Sequence, residues 1–362
     1  MKFLKLLAIC FFALFYTSYS ISQNLSPGFN KEEYKELIYV AARSTESAEK
    51  LKMIPQPEHF KLIYQSKPIG LDNLWELWIK DNSTAVLCTR GSTEKSESWL
   101  ANFYAAMSPA KGEIKISNNY TFEYELSPDK NAAVHTGYLI STAFISKEMV
   151  PKIDSCYTAG IKNFIIMGHS QGGGISYLLM AHFYSLQKKG VLPADIRFKT
   201  YCSAAPKPGN LYFAYSYEKI TQEGWVYNVV NAVDWVPQTP FTVQILNDLP
   251  KVSPVSVIEE TIKSQPFFKK ILLEMVYGRF TNPSQKKVKR YQQLLGDEMA
   301  KKIKKYLPEF KAPDYFNSSD YVRTGNTIVL YPDEAYYEKF SNDSKDLMIH
   351  HSFPPYLYLL LE

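Results

Sequence analysis

Apolar residues recur along this chain at two spacings, and the segments that carry them alternate. After Asn30-Lys31-Glu32-Glu33, an N-cap with an acid three residues on, Tyr34, Leu37, Ile38 and Ala41 follow at helical spacing and predict a helix ending near Arg43. Leu74–Ile79 and Thr84–Cys88 then flank the polar turn Asp81-Asn82-Ser83, the pattern of a hairpin, and the second strand runs straight into Arg90-Gly91-Ser92. Val134–Met149 and Ile175–Leu186 have helix length, whereas Asn163–Gly168 is a short apolar run suited to a strand buried on both faces. Ile196–Ala204, Trp225–Asn231 and Tyr321–Tyr331 are further strands. Strands alternating with helices predict an α/β fold with a mostly parallel central sheet flanked by helices.

Two stretches depart from that rhythm. Residues 102–131 are mixed in composition, with Pro109, Gly112, Pro128 and the pair Asn118-Asn119, and the expectation here is a mobile loop or lid. Val252–Phe310 is proline-punctuated and helical, with Phe267, Phe268, Ile271, Leu272, Met275 and Val276 forming an apolar stripe. The tail from Leu347 is apolar, and no internal repeat is visible.

Composition narrows the class. With 362 residues, 46% of them apolar, the chain has ample material for one large α/β domain with an elaborate insertion. A net charge of +5 drawn from 41 widely spread basic residues leaves no nucleic-acid footprint. Met1-Lys2-Phe3-Leu4-Lys5, an apolar run from Leu6 to Tyr16, and small residues at 17, 18 and 20 have the order of a secretory signal peptide. The run is shorter than the roughly 20 residues a membrane span needs. Residues 1–22 are therefore expected to direct export, to periplasm or medium, and 23–362 to form the folded α/β domain. Without them three cysteines remain, Cys88, Cys156 and Cys202, too few and too odd in number for a disulfide framework. No cysteine and histidine spacing suggests a metal site.

The strongest chemical signal is Gly168-His169-Ser170-Gln171-Gly172, set between the strand ending at Gly168 and the helix beginning near Ile175. A serine hydroxyl is a poor nucleophile at neutral pH and needs an adjacent base, itself oriented by a carboxylate. Glycines at 168 and 172 stand where a sharp strand-to-helix turn leaves no room for side chains. Ser170 is the candidate nucleophile, in an elbow formed by Gly168, His169 and Gly172; a glycine-rich turn with an idle serine is the plainer alternative.

Here the sequence resembles the class 3 lipases, the fungal-lipase-like α/β hydrolases. Arg90-Gly91-Ser92 with Trp99 and Asn102 is similar to that family's RG[TS] and downstream tryptophan motif, and Val134-His135-Thr136-Gly137-Tyr138 to its VHxGF segment. Ser203–Asn210 and Asn228–Pro237 resemble the segments after the nucleophile helix and around the triad aspartate. These matches fall in the family's order over roughly residues 30 to 240, plus the C-terminal tail. The resemblance implies an α/β-hydrolase fold and ester hydrolysis without metal or cofactor. It makes Asp234 the triad carboxylate, and it supplies two oxyanion donors, the Gln171 amide and Ser92.

The base must come from six histidines. His169 lies inside the elbow with its side chain expected to point away from Ser170; His135 sits in a motif the family uses structurally; His59 and His182 read as a loop and a helix residue. His350 and His351 remain, and residue chemistry alone does not separate them. The family's terminal HS(M/F)xxY pattern selects His351, followed by Ser352, Phe353 and Tyr356, and leaves His350 as the alternative base.

One departure is large. More than a hundred residues separate Asp234 from His351, and a helical insertion over about 245–318 is expected between them. It holds Lys286, Lys287, Lys289, Arg290, Lys301, Lys302, Lys304 and Lys305. A solvated helical cap is the simpler account; a basic amphipathic surface facing anionic lipid is the other. The expected activity is cleavage of lipid carboxylic esters, of triacylglycerol lipase or esterase type, with lipid or ester as partner and no nucleic acid. The rivals are a phospholipase A1, a soluble carboxylesterase, and a noncatalytic lipid-binding protein on a hydrolase scaffold.

Overall fold

The computed structural model describes residues 25–221 and 224–362, so the expected signal peptide lies outside the described residues. Its centre is a seven-stranded sheet of order β1-β2-β3-β8-β9-β11-β13. These strands span β1 Lys61–Gln65, β2 Trp75–Lys80, β3 Thr84–Thr89, β8 Asn163–His169, β9 Arg197–Ser203, β11 Val226–Asn231 and β13 Asn326–Leu330. β1, β2 and β3 pair antiparallel, and β3, β8, β9, β11 and β13 run parallel.

β8 is buried at every position, which explains why its sequence is continuously apolar and not alternating. Its two faces feed two cores. Phe164 and Ile166 join the cluster built with α3 (Thr136–Thr158) and α4 (Gln171–Lys188). Ile165 and Met167 join the cluster built with α1 (Lys31–Thr45) and the terminal helix α10 (Phe353–Leu361). This three-layer α/β/α sandwich is the α/β-hydrolase fold, and α1 carries the expected cap, Asn30 Oδ1 accepting from the Glu33 amide.

Two expectations are overturned. Residues 102–131 are not a mobile loop: they form β4 (Met107–Pro109) and a hairpin of β5 (Lys111–Ser117) and β6 (Tyr120–Glu125). Ile114, Ile116, Phe122 and Tyr124 alternate with charged or polar neighbours and are buried in the main core. The segment Tyr321–Tyr331 is not one strand but two. β12 (Tyr321–Val322) pairs with β10 (Gly209–Asn210) in a small second sheet, while β13 joins the central one. Gly325, at φ +82, makes the turn between them.

Between β11 and β12 the chain leaves the sandwich. It forms α6 (Pro254–Lys263), the long α7 (Phe267–Gln292), a π turn over Gln293–Asp297 and α8 (Glu298–Ile303). These helices lie between Asp234 and His351 in the chain. Among the described residues, no helix is long and apolar enough to cross a membrane.

Candidate active site

Strand β8 ends at His169, helix α4 begins at Gln171, and Ser170 is the single residue between them. Its backbone lies at φ 60, ψ −130, a strained conformation for a residue with a Cβ, costing on the order of 1–3 kcal/mol. The turn closes only with glycine on both sides. A Cβ on Gly168 would collide with the backbone of Gly172, and a Cβ on Gly172 with the carbonyl oxygen of Thr89 on the neighbouring strand. The Ser170 amide donates to the Ser203 carbonyl at 2.9 Å, fixing the turn to β9.

Two elements remote in sequence meet this serine. His351, just before α10, has Nε2 2.8 Å from Ser170 Oγ. Its Nδ1 is 2.7 Å from Asp234 Oδ2, on the loop after β11. A carboxylate only accepts, so the proton of the neutral ring sits on Nδ1, and Nε2 is left as the acceptor facing the serine. Asp234 is fully engaged: Oδ2 also accepts from Tyr356 Oη at 2.8 Å, and Oδ1 accepts from the Val236 amide at 2.9 Å. Asp234 and His351 are buried, and Ser170 is partly exposed.

Gln171 follows the nucleophile directly, and Ser92 follows Gly91, where an added Cβ would lie 3.5 Å from Ser170 Cβ. Ser92 follows the C-terminal end of β3, which pairs with β8 up to Thr89↔Gly168. Asn102 Nδ2 donates to Ser92 Oγ at 2.8 Å, leaving that hydroxyl's own hydrogen free for another acceptor. The Gln171 amide opens α4, where the first-turn N–H groups have no acceptor within the helix. The Gln171 side chain turns away and donates to the Ser98 carbonyl at 2.8 Å.

A sequence model of one family, lipase (class 3), matches residues 86–244, which hold Ser92, Ser170 and Asp234. Over these residues the chain matches the class 3 lipase family. Solved lipases are similar to the chain at low identity. The lipase of Rhizopus microsporus var. chinensis is 23% identical over 59% of this chain and 71% of that one, with a TM-score of 0.42. Lipase II of Rhizopus niveus is 21% identical over 58% and 74%, TM-score 0.41. The Lip2 lipase of Yarrowia lipolytica is 19% identical over 60% and 77%, TM-score 0.44. No curated protein sequence matches the chain. The family match ends well before His351, so that residue's place rests on the geometry above.

The other histidines have different partners. His350 has its Nδ1 2.8 Å from Tyr336 Oη and its Nε2 3.0 Å from Asn342 Oδ1. His135 caps α3 and is buried beside Tyr138, which pushes its pKa down to about 3. His59 approaches Glu36 at 3.5 Å, and His182 is buried on α4. Among the described residues, no group of three His, Cys, Asp or Glu side chains could hold a metal ion.

Sequence reasoning missed the parts that hold the base. His169 does point away from Ser170, but its Nε2 donates to the main-chain carbonyl of His351 at 2.8 Å. Burial, then the neighbouring His351, drives its pKa well below the ordinary histidine range, so the ring is neutral. With the proton on Nε2, Nδ1 accepts from Ser203 Oγ at 2.9 Å, and Ser203 Oγ in turn accepts from Tyr34 Oη at 2.6 Å. Asn231 Nδ2 holds the adjacent carbonyl of His350 at 3.0 Å. The signal for these partners is that Ser203 and Asn231 stand inside the quoted motifs, as does Tyr356, which bonds Asp234.

Proposed function

We propose that this protein is a serine hydrolase of the class 3 lipase family that cleaves carboxylic esters of lipids, exported through residues 1–22. The observation that carries the reading is the unbroken series from Ser170 Oγ through His351 to Asp234, at 2.8 and 2.7 Å. His351 Nε2 takes the Ser170 proton as Oγ attacks the ester carbonyl, and Asp234 holds the Nδ1–H and the charge that forms on the ring. The Gln171 amide and Ser92 donate to the tetrahedral oxyanion, each such donor worth about 3 kcal/mol. Collapse expels the alcohol, which takes the proton from His351. Water then attacks the acyl-serine by the same base and releases the acid.

The test is Ser170→Ala against wild type, read as hydrolysis of p-nitrophenyl esters and as labelling by a fluorophosphonate. Loss of both is expected, and full activity in the variant would overturn the assignment. Labelling-negative wild type that still binds lipid would favour a noncatalytic lipid-binding protein. Rates on triolein, phosphatidylcholine and short soluble esters separate triacylglycerol lipase from phospholipase A1 and carboxylesterase, and N-terminal sequencing of exported protein tests the cleavage near residue 22.

A further inference from the structure

The insertion carries its apolar stripe on the outside. Phe267, Ile271 and Met275 form one row along α7 and Phe268, Leu272, Val276 and Phe280 the next, each row at the i, i+4 spacing that places side chains on one face. All are exposed, Phe268 at 86% and Phe280 at 81%, whereas the buried residues of this 26-residue helix are Thr281 and Val288. α6 lies back along it, with Tyr277 Oη donating to Glu259 at 3.0 Å, and leaves the stripe uncovered. A solvated cap would bury these side chains against the body, so that simpler account of the insertion does not fit.

Charge identifies what the stripe meets. At about 100° per residue, Lys286, Lys287, Lys289 and Arg290 project from the same half of the helix as the stripe, two to three turns farther on. Residues 254–292 hold eight Lys or Arg against three Glu, a net of +5 that equals the formal net charge of the entire chain. The remainder of the molecule is balanced, and the excess sits on the arm with the exposed apolar face. An apolar row bordered by Lys and Arg is the composition that inserts shallowly into an anionic lipid surface.

The arm is rooted beside the candidate site. Its π turn bonds to the body where the Ala106 amide donates to the Leu295 carbonyl at 3.0 Å. There α8 and helix α2 (Ser96–Phe103) enclose a groove of about 720 Å³ with Trp99, Leu100 and Phe103 on one wall and Lys301, Lys302 and Lys305 on the other. α2 also carries Asn102, the donor to Ser92. This groove thus joins apolar side chains of the helix that supports the oxyanion candidate to basic side chains that follow the arm in sequence.

We propose that the α6–α7 arm is a docking element for anionic phospholipid surfaces, inserting Phe267, Phe268 and Leu272 while Lys286, Lys287, Lys289 and Arg290 contact headgroups. It lies outside residues 86–244 matched by the family model. It deepens the lipid-ester reading, but its test does not need hydrolysis.

The purified Ser170→Ala chain is mixed with phosphatidylcholine vesicles, with and without phosphatidylglycerol, at low and high salt, and sedimented. Binding is expected only with phosphatidylglycerol, weakened by salt. Phe267→Ser/Phe268→Ser/Leu272→Ser should abolish it, and Lys286→Gln/Lys287→Gln/Lys289→Gln/Arg290→Gln should weaken it by about tenfold or more. Both sets should keep the urea midpoint of the Ser170→Ala chain, which shows that they fold. Equal binding to both vesicles, no binding, or unchanged binding by the variants overturns the proposal. So does self-association in solution that the apolar variant removes, since the stripe would then cover a second copy. Failure of the esterase reading leaves each of these outcomes readable.

Discussion

His169 Nε2 donates to the main-chain carbonyl of His351 at 2.8 Å, so the residue before the candidate nucleophile holds the backbone of the candidate base. The two are 182 positions apart, on a central strand and on the terminal turn. Removing the bond frees the turn to shift, and a displacement of about 1 Å costs up to about 100-fold in rate. His169→Ala should lower kcat on a short soluble ester by about 10-fold to 100-fold with KM nearly unchanged. His169→Gln, whose amide can still donate to the carbonyl, should recover part of the loss. Unchanged kcat in His169→Ala would remove the positioning role.

The paired histidines should separate cleanly. His351→Gln leaves Ser170 without an acceptor and Asp234 without its imidazole, and activity should fall about 10⁴-fold or more. His350→Gln loses partners in Tyr336 and Asn342 only, at a stability cost of about 1 kcal/mol. Its kcat should stay near wild type. Activity-based labelling of both variants beside Ser170→Ala checks the assignment, and loss of labelling in His350→Gln would reverse it.

The legible parts of this chain are those where one local pattern determines the outcome. β8 and α4 follow from a buried apolar run and a helical one, and the glycines of the elbow follow from backbone approach. Hairpin β5–β6 was illegible because Pro109, Gly112 and Asn118-Asn119 dominate the reading. Ile114, Ile116, Phe122 and Tyr124 nevertheless keep strict alternation on its buried face. Ser92, Asp234 and His351 were found by motif resemblance. His169, Ser203, Tyr34 and Asn231 were not, because what they do depends on contacts across the folded sheet that no local period encodes.

Gly172 tests the elbow by packing alone. A methyl group there would overlap the Thr89 carbonyl and lie 3.0 Å from that of Arg90, backbone atoms at and just past the end of the central strand β3. Gly172→Ala should cost more than about 3 kcal/mol, seen as insoluble protein or a large fall in the urea midpoint. Gly278→Ala is the control. Its added methyl meets the mobile end of Asn282 on an exposed helix face, and it should be neutral or stabilise by up to about 1 kcal/mol.

Acid should unfold this protein through its buried histidines. Burial is the largest cause that lowers the pKa of His135, to about 3, of His182, to about 4, and of His169 in the same direction. A histidine held neutral when folded takes up a proton only on unfolding once the pH falls below about 6.5. Its contribution is therefore complete above that pH and is lost as the pH falls, at about 1.4 kcal/mol per pH unit for each group. Glu76 and Asp248 oppose this, since burial raises their pKa and makes them stabilising as the pH drops, but they act nearer the carboxylate range. The urea midpoint should hence fall steeply between pH 6.5 and 5. His182→Phe should flatten that slope by about one proton, since His182 packs among aromatic rings including Phe122 and Phe183. A midpoint independent of pH across this window would show that these rings are protonated in the folded state.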